Sequence, residues 1–187
     1  MRNINQIRLT KYWLICGLFL LSTGKVVADT SYINMGNYSF EGFVVVTPCQ
    51  VAPGSKEVPV NFEKIDIKDL YSMGKTKPID FSIHLIDCST VLFKTVTVTF
   101  NGIENINLPN HLAISNQSVA GGIGIGLLNF NETPIQLNIP SAAQDLVNND
   151  TELKFKAYIE AEPEARSNET ITTGVFYSTA YYTLSYQ

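Results

Sequence analysis

An all-β chain is predicted by three observations on the sequence. After Cys49 it reads as short apolar segments of alternating character broken by turn residues, helical patterning is confined to two short stretches, and the longest period-two patterns stand near the two ends. Strands this short and this regularly interrupted predict a β-sandwich of the immunoglobulin-like kind, in one domain.

The first segment is not part of that domain. "MRNINQIRLTKYWLICGLFLLSTGKVVADT" places Arg2, Arg8 and Lys11 ahead of an apolar run from Trp13 to Leu21, followed by small residues at Val26 and Ala28. This is the pattern of a secretory signal peptide, residues 1–28, cut after Ala28. A membrane anchor needs ~20 apolar residues, about twice this run. Cleavage removes four of the 13 basic residues and none of the 17 acidic ones, leaving a net charge of about −8 by the same count. That balance argues against nucleic acid or an anionic membrane surface as partner.

Cys16 leaves with the leader, so Cys49 and Cys88 remain as an even pair in an exported chain. A disulfide is the default reading, and closing a loop of about 40 residues removes unfolded-chain entropy worth on the order of 4 kcal/mol. A redox or zinc pair would call for a CxxC spacing or nearby histidines, and the sequence has neither.

The strand segments follow in order. "KEVPVNF" sets Val58, Val60 and Phe62 on one face, and "PIDFSIHLIDC" does so with Ile79, Phe81, Ile83 and Leu85. "VTVTFNG" offers Val96, Val98 and Phe100 before an expected turn at Asn101 and Gly102. "GIGIGLLNF", "TPIQLNIP" and "ELKFKAYIEA" continue the pattern. Residues 63–73 and 141–150 have room for a turn or two of helix as connectors, and 160–169 reads as a solvated charged loop.

The two end segments depart from an ordinary sandwich. "YSFEGFVVVTPC" puts Tyr38, Phe40, Gly42 and Val44 on one face; "GVFYSTAYYTLSYQ" does the same with Phe176, Ser178, Ala180, Tyr182, Leu184 and Tyr186. A strand of about 13 residues would extend roughly 43 Å. Edge strands are normally blunted by charge, proline or bulges, yet 170–187 contains no Lys, Arg, Asp, Glu or Pro. This strand is either interior to its sheet or expects a partner on its free side. Gly42 is open to a plain bulge reading as well.

On these residues the chain resembles the pilin subunits of chaperone–usher fimbriae, the family of type 1 and P fimbriae, over essentially all of the mature sequence. The resemblance is carried by "FEGFVVVTPC" with Gly42 seven residues before Cys49, "FSIHLIDCS" around Cys88, "VTVTFNG", "GGIGIGLLN", Gly174 fourteenth from the end and Tyr186 as a penultimate aromatic. It implies an incomplete immunoglobulin-like sandwich of six strands, the seventh missing, with a groove beside the last strand. A strand of a periplasmic chaperone fills that groove first, then the N-terminal extension of the next subunit. Carried over, residues 29–46 are the extension and 47–187 the pilin domain. Tyr38, Phe40, Gly42 and Val44 are then donor positions, with Gly42 at a narrow pocket. Gly174, Phe176, Ser178, Ala180, Tyr182, Leu184 and Tyr186 form the acceptor groove that also binds the chaperone. The implied partners are that chaperone, an outer-membrane usher and other fimbrial subunits, and the implied place is the cell surface, reached through the periplasm. About nine residues, 29–37, precede the donor segment, more than a minimal extension needs, so shaft, terminating and anchoring positions all stay open.

Other chemistry finds little footing. "GGIGIG" lacks the Lys-Ser or Lys-Thr and the following helix of a phosphate loop. His84 alternates outward, His111 falls in the loop "LPNHLAISN", and neither has a ligand at metal spacing. No nucleophile signature accompanies a Ser or Cys. The five N-x-S/T sequons, at Asn37, Asn116, Asn131, Asn149 and Asn168, are read as chance. The reading is a non-enzymatic subunit with no cofactor, no metal and no small-molecule substrate. Its rival from the binding class is a tip or self-contained lectin-like sandwich, for which a separate lectin domain has no room ahead of the pilin pattern.

Overall fold

In the computed structural model, residues 37–44 and 46–187 are described; the expected signal peptide and residues 29–36 lie outside them. The chain divides into two units, Met1–Phe43 and Val44–Gln187. In the first, residues 37–43 form no helix or strand, and Tyr38, Phe40 and Phe43 are exposed.

Within Val44–Gln187 the strands are β1 (Gln50–Val51), β2 (Ile79–Cys88), β3 (Thr95–Gly102), β4 (Leu112–Ala113), β5 (Ile123–Asn129), β6 (Pro134–Ile135), β7 (Gln144–Asp145), β8 (Asn149–Ala161) and β9 (Ala180–Tyr186). One sheet runs β1-β2-β8-β5-β4 with β6 beside β5; the other runs β7-β3-β9. Every ladder is antiparallel. Alternation decides what each strand gives the core. Ile83 and Leu85 of β2, Leu153, Phe155 and Ile159 of β8, and Val96, Val98 and Phe100 of β3 are all buried. The two sheets meet at Phe100, whose ring stands edge-on to Phe155 at 5.1 Å and lies 6.1 Å from Phe81.

All seven residues of β5 are buried, because its outer face is covered too. A side chain at Gly126 would run into the ring of Tyr158, and one at Gly124 would meet His111 and Leu108 at 3.1 Å. The small residues of "GIGIG" let Tyr158 and the loop before β4 lie flat on the sheet. That loop is held by Asn105, whose amide donates to Ile123 O at 3.1 Å and to Glu162 Oε1 at 2.9 Å. His111 closes it, with Nε2 3.1 Å from the Tyr158 hydroxyl and 3.2 Å from Glu160.

Several local expectations are corrected. Asn101 and Gly102 make no turn but end β3, where a Gly102 side chain would strike Leu112. Residues 141–150 form no helix: Ser141 bonds β3, its Oγ accepting from Val98 N–H at 3.0 Å, and 144–145 pair with β3 as β7. The expected loop 160–169 instead holds a short helix, α2 (Pro163–Ser167). Pro163 opens it, Glu164 and Arg166 suit its dipole, and Ala165 is buried. The helix expected within 63–73 is α1 (Ile67–Met73), capped by Asp66 at Lys68 N–H and ended by Gly74 at φ 83°. Arg166 ties the two helices together by donating to Tyr71 O at 3.0 Å and Ser72 O at 2.8 Å.

Candidate functional site

The free edge of the smaller sheet is β9. It pairs with β3 from Val96↔Tyr186 to Gly102↔Ala180 and, among the described residues, has no ladder on its other side. Its inner residues Ala180, Tyr182, Leu184 and Tyr186 pack on the core yet are only half-buried, while Tyr181, Thr183 and Ser185 face water. Phe176 and Ser178 continue the half-buried face upstream, so six of the seven expected groove positions share one surface. Burial raises the Tyr182 phenol, and burial with Tyr182 alongside raises that of Tyr186.

The expected single long strand is in fact two pieces with different partners. Residues 175–177 hydrogen-bond the segment 115–120, through Ser115 N–H to Tyr177 O at 2.7 Å and Val119 N–H to Val175 O at 2.8 Å. Ser178 Oγ donates to Ala113 O at 2.7 Å, and only from Ala180 does the β3 ladder begin. Gly174, the seventh position, is exposed and sits at φ 153°, where an added Cβ would lie 2.6 Å from Val119 Cγ1. Glycine is needed there for the chain to pass. Beside it a cavity of about 80 Å³ opens among Ile65, Ile67, Leu70, Ile123, Ile171 and Phe176.

The opposite wall was not identified from the sequence. Residues 58–62 form no ladder, contrary to the strand expected there, although Val58, Val60 and Phe62 alternate half-buried against exposed neighbours. Their segment runs alongside β9 in the opposite sense: Tyr182 Oη donates to Ser55 O at 2.6 Å, and the Phe62 and Phe176 rings stand 6.0 Å apart. Among the described residues no backbone hydrogen bond joins the two. Two walls of alternating half-buried residues therefore lie side by side, joined through the Tyr182 hydroxyl and aromatic contact with no backbone–backbone hydrogen bond between them. The available signal was Pro59, which cannot donate to a ladder and demotes its run to an edge.

The remaining expected positions lie as follows. Tyr38, Phe40 and Val44 are exposed at 87, 94 and 103%, in no strand, and nothing stands within 4 Å of a Cβ built on Gly42. Cys49 and Cys88 are bonded to each other. His84 is exposed beside Ser82, and His111 belongs to the half-buried latch on β8. Among the described residues no three His, Cys, Asp or Glu are grouped to hold a metal ion, and no helix is long and apolar enough to cross a membrane.

Comparison with known proteins agrees with this geometry. The chain is 39% identical over 170 residues to a protein named as a minor fimbrial subunit, PmfF, of Proteus mirabilis strain HI4320, covering 90% of this chain and 93% of that one. It is 31% identical to the fimbrial adapter PapK of Escherichia coli, over 89% of this chain and 93% of the other. Its fold matches the crystal structure of the P pilus rod subunit PapA with a TM-score of 0.65 at 20% identity, over 75% of this chain and all of that one. Residues 38–187 match the family described as fimbrial protein, and with those relatives this places the chain in that family: it is a fimbrial subunit.

Proposed function

We propose that this chain builds a chaperone–usher fimbria by exchanging strands with its neighbours, the groove of one subunit being completed by residues 38–44 of the next. The observation that carries the reading is the pair of half-buried walls, β9 and residues 58–62, with no backbone hydrogen bond between them. Unpaired backbone and half-covered apolar side chains are costly in water and invite an added strand. The donor face Tyr38, Phe40, Gly42 and Val44 supplies alternate side chains to the groove of a neighbouring subunit. A periplasmic chaperone holds the groove open before assembly and an outer-membrane usher passes the subunit to the surface. Residues 1–28 are the export signal and 29–46 the extension. The function is structural, without catalysis.

Deleting residues 29–46 tests this. The truncated subunit is expected to be recovered bound to chaperone and to accept a strand while donating none, so fibres end at it. Fibres that continue beyond it would remove the donor assignment.

A further inference from the structure

The extension leaves the domain at Pro48, whose carbonyl accepts from Ser89 N–H at 2.7 Å, and the disulfide fixes the next residue to Cys88. Two residues beyond Ser89 the β2–β3 turn holds Val91 and Leu92 in water, at 80% and 68% exposure. This turn is braced rather than loose. Thr90 donates to Asn148 Oδ1 from its N–H at 3.0 Å and its hydroxyl at 2.8 Å, Lys94 Nζ bonds Thr90 O, and Leu146 N–H donates to Lys94 O at 2.8 Å. A fixed turn that presents two aliphatic side chains to solvent has the character of a contact surface.

Chain length says what reaches it. Val44, the last donor position, stands five residues before Cys49, and five residues span at most about 17 Å when fully extended. Whatever body holds Val44 in its groove is therefore kept within that distance of the exit at Pro48, beside the turn. This chain carries both a donor face and an open groove, so a second copy of it meets the requirement.

We propose that the Val91–Leu92 turn abuts the second copy of this chain whose groove receives residues 38–44. The inference rests on the strand-donation reading. The abutment gives the joint a second point of attachment outside the groove, and the short tether makes its local concentration high.

The test compares three donors on one acceptor, a refolded copy lacking residues 29–46. The donors are the intact mature chain, the same chain with V91D and L92D, and a synthetic peptide of residues 29–47; each joint is challenged with excess labelled peptide. The intact donor is expected to be displaced about tenfold more slowly than the peptide. V91D/L92D brings displacement to within about twofold of the peptide, and I106D, a charge at an exposed position beyond the far end of β3, leaves it at the wild-type rate. Both substituted residues are exposed, and retention of the disulfide and of the wild-type melting temperature confirms that the variant folds. If the peptide enters but the intact donor is displaced as fast as it, or V91D/L92D behaves as wild type, the abutment is overturned and strand donation stands. A peptide that does not enter the groove overturns both.

Discussion

β5 and β9 are each seven residues long and uncharged, yet every residue of β5 is buried and none of β9 is. The difference is one of neighbours rather than of composition. β5 has ladders on both sides, a core beneath it and the Asn105–His111 loop with Tyr158 above it. β9 has one ladder among the described residues, and its inner face, packed on the core and beside the wall at 58–62, is only half covered. A strand with apolar residues at alternate positions and an unfinished environment keeps part of its burial free energy in reserve, to be released when a partner strand arrives.

That contrast is open to measurement. Leu127→Ala in β5 is expected to cost about 2–5 kcal/mol in denaturant unfolding, whether the groove is empty or filled by a 29–47 peptide. Leu184→Ala in β9 is expected to cost under about 1 kcal/mol in the empty subunit and clearly more in the filled one. Equal costs for Leu184→Ala in the two states would mean that β9 holds no reserve. Next in size is Gly126→Ala, which forces a methyl against the Tyr158 ring and is expected to cost about 1–3 kcal/mol. Its effect should be strongly non-additive with Tyr158→Ala, and additivity in that cycle would show that the ring does not lie where the glycine admits it.

The smallest effect concerns pH. Burial, aided by the Glu160 carboxylate, pushes the Tyr158 phenol up to about 12 from its usual 10.0. A folded-state value above the unfolded one gives stability that is complete below about pH 10 and lost as pH rises through about 12. Tyr158→Phe is therefore expected to flatten part of the alkaline decline in melting temperature between those limits. Tyr182, Tyr186 and Lys156, shifted in the same direction, contribute to the rest. A variant that declines as steeply as wild type would place the titration elsewhere.

Much of the site was legible because side-chain alternation is a direct record of which face a strand turns inward. Phe176 through Tyr186 could be assigned to one face from period two alone, and the structure sets them on one half-buried surface. What the pattern does not encode is the hydrogen-bond partner. The change of partner between Tyr177 and Ala180 left no trace in the sequence, and the missing ladder at 58–62 left only Pro59. The helix α2 was hidden because a single turn that buries one alanine has too little periodicity to separate from a charged loop. Gly102 and Gly124 illustrate a similar limit: a glycine admits a close neighbour as readily as a turn, and only the fold says which.

The bond between Cys49 and Cys88 also has a mechanical side. On the proposed strand exchange, a fibre under tension would pull each subunit through the root of its extension at Pro48. Without the bond, that pull would fall first on the Pro48–Ser89 hydrogen bond and on the two-residue strand β1, with its pairs Gln50↔Ile86 and Val51↔Leu85. With the bond, it passes at once to Cys88, the end of a ten-residue strand joined to β8 from Ile79↔Ala157 to Cys88↔Asn149. Force then spreads along the longest ladder of the domain, and the subunit resists being unravelled from the end at which its neighbour is attached.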